Sequence, residues 1–317
     1  MAKNICIIGG SGFVGRSVMR QALMAGYQVR VACRHPEKAR YLLVAGVSDL
    51  CKADICSGKG LKEAVAGMDG VINLVGLLFE RGCYTFDAAH VHGTRNILKA
   101  CEALGVQRYL HMSALGASGQ SESAYGRSKH AAEKLVRDSP LDWTIMRPSV
   151  IFGQEDDFFN KLDVMSRFLP VFPVIAGNTR FQPVWVEDVA RAFVQSMGSM
   201  TSVGQSYDLG GPTSYTFHTL VDVLLAHKQR TRLCLPVPNA IAGMLAKVLQ
   251  FLPVPPLTPD QLTMLQSDNV VDGDTPFPVC FGSPSSVESV LPRYINGVQA
   301  KRLQQQLNIN RKSYRKL

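Results

Sequence analysis

Tyr125 and Lys129 stand four residues apart in "SAYGRSKHAAEKLV", a spacing that puts both side chains on one face of a helix. A phenol with an ordinary pKa of about 10 exchanges protons poorly at neutral pH. An ammonium beside it favours the phenolate by electrostatic attraction. Ser113, twelve residues before Tyr125 in "LHMSALGA", adds a hydroxyl able to hydrogen-bond the oxygen that gains or loses the proton. Together the three are the parts that proton transfer at a carbonyl or alcohol needs. The alternative is a helix-face tyrosine beside a solvated lysine, because YxxxK alone recurs by chance.

A second set of residues suits an anion. "NICIIGGSGFVGRSV" runs from an apolar strand through Gly9, Gly10, Ser11, Gly12, Phe13, Val14 and Gly15 into a helical pattern. Glycines permit a tight turn and close backbone approach, and the helix start points N–H groups at negative charge. A bare GxGxxG signals little, but strand, glycines, helix and second strand follow here in the order that a dinucleotide pyrophosphate site requires. Nineteen residues beyond Gly15 the second strand ends in "VACRHPEK", with Arg34 where an NAD site offers a carboxylate to the ribose. Arg34, with Lys38 adding charge, suits a 2′-phosphate, so NADP(H) is favoured over NAD(H). Asp54, after the short third strand, reads equally as a partner for the adenine amino group or as a solvated carboxylate.

The elements that hold these residues are legible as a rhythm. From residue 3 to about 147, "NICIIG", "YQVRVAC", "GVINLVG", "QRYLHMS" and "LDWTIMRP" are short apolar runs. They alternate with segments such as "GTRNILKACEALG", whose apolar residues repeat every three or four positions. Strands separated by crossover-length helices imply an α/β fold, a doubly wound parallel sheet covered on both faces. After residue 150 prolines accumulate in "FLPVFPVIAG", "LPVPNA" and "FLPVPPLTPD", which predicts a smaller, loop-rich C-terminal lobe. The division expected is residues 1–155 for the nucleotide domain and 156–317 for the lobe. "VWVEDVARAFVQSM" reads as a segment returning to the first domain.

At 46% hydrophobic and 19% charged, the composition is that of a globular protein without a membrane span, and the reading is cytoplasmic. Eight cysteines are scattered without CxxC or zinc-type spacing, so reduced thiols and no metal site are expected. The net charge is +9, and the last seventeen residues hold six Lys or Arg and no acid. Without a reader fold or interleaved aromatics that excess does not indicate nucleic acid. "NAIAGMLAKVLQFL", residues 239–252, is a largely apolar helical pattern. It is expected to pack on the core of its own lobe; the competing reading joins it to the basic tail as a peripheral contact with anionic membrane at the inner face. The acidic "EDD" at 155–157 reads as a loop or helix-start feature. His92 and His111 read as packing residues.

The glycine turn, Ser113, "YGRSK", "RPSVIFGQEDDFFNKL" and "FQPVWVEDVARAFV" resemble the extended and atypical short-chain dehydrogenase/reductases. The last two stretches are most similar to the nucleotide-binding alpha 9 accessory subunit family of respiratory complex I and its bacterial relatives. The likeness covers roughly residues 4–225. It implies a Rossmann domain with a small C-terminal lobe, a tightly held NADPH, and respiratory-complex or quinone-pathway partners. It implies that Gly9, Gly12 and Gly15 meet the pyrophosphate, that Arg34 meets the adenosine phosphate, and that Leu74, Val75 and Gly76 line the cofactor. It further implies a catalytic set of Ser113, Tyr125 and Lys129, with Lys129 also at the nicotinamide ribose and the Pro148 to Ile151 backbone beside the carboxamide. One position departs: "HVHGTRN" has His90 where extended members carry the asparagine of a proton relay. The leading expectation is an NAD(P)H-binding reductase-like protein linked to respiratory or quinone metabolism, with turnover left open; the alternative is an active epimerase, dehydratase or ketone reductase on a nucleotide sugar or isoprenoid-type substrate.

Overall fold

The computed structural model describes residues 4–252, 255, 257–273 and 275–295. Five of its strands are the apolar runs: β1 (Asn4–Ile8), β2 (Gln28–Cys33), β4 (Gly70–Asn73), β5 (Arg108–Met112) and β6 (Asp142–Pro148), with a short β3 (Asp49–Lys52) between the second and fourth. Further along lie β7 (Ile151–Phe152), β8 (Val171–Ile175), β9 (Arg180–Phe181), β10 (Val184–Trp185), β11 (Gln205–Leu209), β12 (Tyr215–Thr216) and β13 (Leu233–Val237). The helices are α1 (Phe13–Met24), α2 (Tyr41–Val44), α3 (Leu61–Val65), α4 (Gly93–Ala103), α5 (Ala124–Arg137) and α6 (Phe158–Phe168). They continue as α7 (Val186–Met197), α8 (Phe217–His227), α9 (Asn239–Leu249), α10 (Pro259–Leu265) and α11 (Val287–Ile295).

Seven parallel strands form one sheet in the order β11-β6-β5-β4-β1-β2-β3. The order reverses direction between β1 and β4, the switch point beside which doubly wound folds place a ligand at the carboxyl ends of the strands. Ile5, Ile7, Val29, Val31 and Ile72 join one apolar cluster, and Cys6, Ile8, Ala32 and Val71 join the other. Alternate residues of each strand thus feed opposite faces, which is why these strands read as continuous apolar runs. Beyond residue 155, α7 packs on α1 and β11 pairs with β6, so later segments complete the sheet and its cover.

The remaining segments form a lobe with its own core, in which Phe152, Phe159, Phe172, Leu220, Leu224 and Val290 are buried. Asp156 belongs to this framework. Its carboxylate accepts from the N–H groups of Gly153 and Asn160 and from the Tyr294 hydroxyl, which makes it the helix-start feature expected of the acidic run. Helix α9 departs from expectation. Only Ala242 and Ala246 turn inward, while Ile241, Met244, Leu245 and Val248 face outward. The small residues, not the large ones, make the packing seam. Among the described residues no helix is long and apolar enough to cross a membrane, and the basic tail lies outside the described residues.

Candidate functional site

The glycine turn bridges β1 and α1 at the switch point. Gly9 has φ +85°, a conformation open to glycine at no steric cost. Its N–H donates to Ala32 O at 3.1 Å, and Gly12 N–H donates back to Gly9 O at 3.0 Å. A Cβ on Gly15 would sit 2.3 Å from Gly9 O and 2.6 Å from Gly10 Cα, and one on Gly10 would sit 2.9 Å from Val31 Cγ2. The close seating of α1 therefore depends on these hydrogens. Gly12 supplies no side-chain cap and the first turn carries no acid, so the N–H groups there face outward uncompensated. Arg16 adds a cation that sequence reading passed over: its Nη1 donates to Ser11 O at 2.6 Å, and its Nη2 pairs with Glu155. Phe13 lies against Gly153, and Val14 is buried in the core.

The end of β4 closes the other side of this turn. A Cβ on Gly9 would lie 3.3 Å from Val75 Cγ2, and one on Gly76 would lie 3.4 Å from Lys129 Nζ. The turn, the Leu74 to Gly76 segment and Lys129 are thus one continuous wall. Leu74 N–H donates to Ile8 O at 3.0 Å, and Val75 N–H to Asn73 Oδ1 at 3.1 Å.

At the end of β2, Arg34 is exposed and lies over the Tyr84 ring, 4.4 Å from its centroid. Among the described residues it makes no ion pair. Tyr84 Oη donates toward Asp54 Oδ2 at 3.5 Å, while Asp54 also accepts from Cys56 N–H at 3.0 Å and Ser57 Oγ at 3.2 Å. Asp54 therefore braces its own loop and the tyrosine. Lys38 is exposed in the short turn Pro36–Lys38. No sequence signal marked Tyr84, which comes from an irregular segment fifty residues after Arg34.

Tyr125 and Lys129 stand on α5, and Lys129 reaches across to Met112 at the end of β5, one residue before Ser113. Ser123 caps that helix through a hydrogen bond from Gly126 N–H. Ser113 is buried and its Oγ has no hydrogen-bond partner among the described residues; nearby, burial opposes ionisation of Glu133 but the Arg147 and Arg137 guanidinium groups hold its carboxylate low. The Tyr125 ring stands edge-on to Phe86 at 5.7 Å and to His90 at 5.4 Å. Burial pushes its phenol up to about 12. Lys129 is 1% exposed, and its Nζ donates to Met112 O at 3.0 Å and Val75 O at 3.4 Å, 5.8 Å from the tyrosine ring centroid. Burial lowers Lys129 to about 8, with Glu133 partly opposing. The spacing predicted a lysine that draws the phenol toward ionisation. Instead the ammonium is aimed at backbone carbonyls of the groove wall, and burial dominates the tyrosine.

His90 explains the departure from asparagine. Its Nε2 accepts from Leu77 N–H at 3.1 Å, which leaves the ring proton on Nδ1. Nδ1 donates to Ser128 Oγ at 2.8 Å, and Ser128 in turn donates to Tyr125 O at 2.8 Å. Burial holds the imidazole neutral, lowered to about 2. Both nitrogens are committed, so His90 ties the loop after β4 to the catalytic-type helix. It sits in a π-helical turn, Asp87–His92, a local irregularity that recurs at functional sites. His111 is buried, its Nδ1 near Asn73 Nδ2 and Tyr109 Oη at 3.4 and 3.5 Å. His92 is at the surface, 3.0 Å from Asp87.

Pro148 ends β6 and Ile151 opens β7, and Leu115 N–H donates to Pro148 O at 2.9 Å. A cavity of about 790 Å³ opens beside this junction, lined by Leu115, Arg147, Arg180, Gln182 and Asp208 among others. Sequence spacing held no metal set, but the fold brings His218, Asp222 and Cys234 within 4.8 Å of one another on the lobe surface. His218 Nδ1 is already paired with Asp222 there at 2.9 Å.

An NAD(P)H-binding family model matches residues 9–170, the stretch that carries the glycine turn, the β4 wall and the tyrosine–lysine helix. The mitochondrial NADH dehydrogenase (ubiquinone) 1 alpha subcomplex subunit 9 of Arabidopsis thaliana is 34% identical over 283 residues, covering 84% of this chain and 70% of the relative. A ceramide reductase of Caulobacter vibrioides is 29% identical over 190 residues, covering 60% of this chain and 59% of the relative. The NADPH-dependent quinone oxidoreductase of Escherichia coli, solved with NADPH, superposes with a TM-score of 0.74 over 90% of this chain and 97% of that one, at 20% identity. That last likeness shows the fold. Fold and family model thus define an NAD(P)H-binding protein with a doubly wound parallel sheet. Within that class, the chain belongs to the family of the alpha 9 subunits of respiratory complex I.

Proposed function

We propose that the chain holds NADPH in preference to NADH and that it serves respiratory or quinone-linked metabolism as a carbonyl reductase. The observation that carries the cofactor preference is Arg34: an exposed guanidinium, oriented by the Tyr84 ring and free of any ion pair among the described residues, where a ribose-binding carboxylate would otherwise stand. Gly9 to Gly15 and the first turn of α1 receive the pyrophosphate, with Arg16 as a nearby cation, and Lys38 adds charge beside Arg34. Asp54 and Tyr84 border the adenine. Leu74 to Gly76 and the Pro148 to Ile151 backbone flank the nicotinamide end.

The bound nicotinamide supplies a hydride. The protein's part is the proton. Tyr125 is in the protonated donor form that carbonyl reduction requires, and the burial that raises its phenol to about 12 makes it a weaker donor than a free phenol until bound groups favour the phenolate. Tyr125 would give that proton to the substrate oxygen, Ser113 would hydrogen-bond the same oxygen, and Lys129, now on the Met112 and Val75 carbonyls, would hold the nicotinamide ribose. His90 keeps the tyrosine helix and the β4 wall in register without exchanging a proton itself. On this reading the protein works in the cytoplasm, peripheral at the inner face of the membrane beside a respiratory-type partner; the alpha 9 relatives themselves are mitochondrial proteins. Native mass spectrometry of the purified full chain tests this reading. One NADP(H) per chain is expected; NAD(H), or a different nucleotide, would overturn it.

A further inference from the structure

The described structure leaves 21 large hydrophobic side chains exposed, and twelve of them lie in the two segments 164–171 and 233–252. The clustering is built by the fold. Strands β8 and β13 pair in parallel with Leu233 beside Val171 and Leu235 beside Pro173. Phe172, Val174 and Cys234 turn toward the lobe core, while Val171, Leu233 and Leu235 turn outward. Strand β13 then leads through Pro238 into α9, whose outward residues are Ile241, Met244, Leu245 and Val248. Those positions follow i, i+3, i+4 and i+7, one stripe of a helix. Phe251 and Leu252 extend it, and they are 84% and 48% exposed. The twelve residues thus fall on the α6–β8 segment, on β13 and on α9 with Phe251 and Leu252 beyond it, and exposed apolar side chains so concentrated mark interaction sites.

The charges around this face have one sign. From residue 228 to 258 there are four Lys or Arg and no carboxylate. Of the neighbouring acids, Asp163 is paired with Lys228, Arg230 and Arg167, Asp222 with His218, and Asp260 of α10 accepts from the Ala124 and Tyr125 N–H groups. Arg232 donates to the carbonyls of Ser166 and Thr231, and Lys247 stands exposed on α9 itself. Apart from Phe168 and Phe251 its exposed side chains are aliphatic or methionine, with no tyrosine or tryptophan, and an apolar helix stripe with flanking cations suits the headgroup boundary of a bilayer.

We propose that α9 and the outer side of the β8–β13 pair form an interfacial face on which the protein docks to an anionic lipid bilayer. The helix lies in the plane of the membrane with its stripe among the acyl chains, and Lys247 and Arg232 remain at headgroup level. This gives residues and an orientation to the peripheral placement proposed above, and it stands apart from the nucleotide site.

The test is flotation of the full chain with phosphatidylcholine vesicles and with vesicles that also contain phosphatidylglycerol, at low and high salt. The wild type is expected to float with the anionic vesicles, more at low salt than at high. The double variant Met244→Asp, Val248→Asp is expected to lose at least about ten-fold in bound fraction, and Lys247→Glu to lose part of it. Should the aspartates shift the thermal transition, Met244→Ser, Val248→Ser carries the same comparison. A wild type that stays unbound at low salt, or a serine variant that floats equally well, overturns the proposal. So does a self-association that the variants abolish while vesicles never bind, which would give the face to a second copy of the chain. NADPH affinity, measured on each variant, should not change, so failure of the lipid face is separable from failure of the nucleotide reading.

Discussion

Replacing Lys129 by methionine should change how stability depends on pH, and the sign follows from the burial of its ammonium. In the folded protein the lysine titrates near 8, against 10.5 when unconstrained, because it is 1% exposed and its nearest carboxylate only partly compensates. Between pH 8 and 10.5 the unfolded chain therefore binds more protons at this position than the folded one. Stability contributed by this site must rise with pH across that window, and below pH 8 the full cost of the buried charge is present. At 1.36 kcal/mol per pH unit the rise amounts to about 3 kcal/mol. The assay is urea unfolding of wild type and Lys129→Met at several pH values from 7 to 10.5, with the linear extrapolation applied to each. Other titrating groups are common to both proteins and cancel in the difference. The stability of the wild type relative to the variant should climb by about 3 kcal/mol. A difference that stays flat would mean that Lys129 titrates as a solvated lysine, and the described wall between Gly76 and α5 would be wrong.

Gly15→Ala and Gly12→Ala should separate folding from binding. The first forces a methyl to 2.3 Å from Gly9 O and should cost about 1–3 kcal/mol of stability, read by thermal melting. The second brings a methyl to 3.2 Å from Gly9 O at an ordinary φ of −77°, a contact that a shift of a few tenths of an ångström relieves, so it should lower melting less than Gly15→Ala does while weakening nucleotide binding. Tyr125→Phe should abolish carbonyl reduction on any substrate found while leaving NADPH affinity near wild type, because the hydroxyl acts in the transition state. Turnover equal to wild type would make the tyrosine structural.

The sheet was readable because its central strands are buried on both faces and so appear as unbroken apolar runs. Strand β11, "QSYDL", was not readable. It is an edge strand with exposed polar residues, and only its pairing with β6 defines it. Helical spacing placed Tyr125 and Lys129 on one face, but it held no information on where a long flexible side chain ends, and Lys129 ends on the carbonyls of Val75 and Met112. Periodicity likewise revealed the apolar stripe of α9 without saying which side the core would take. Ala242 and Ala246 decide that, since small residues let the helix sit close to α10. Tyr84 and Glu155 reach Arg34 and Arg16 across long sequence separations, through irregular segments that carry no period to read.

The central claim, that the glycine turn and Arg34 select a phosphorylated dinucleotide, is tested most directly by titrating wild type and Arg34→Asp with NADPH and with NADH in a calorimeter at fixed salt. The account predicts one site per chain and tighter binding of NADPH to the wild type. For NADPH it predicts a loss of roughly 1.5–3 kcal/mol in the variant, the range of a hydrogen bond to a charged group, with NADH much less affected. An NADPH affinity that survives the substitution unchanged, or a wild type that binds NADH as tightly as NADPH, would contradict it.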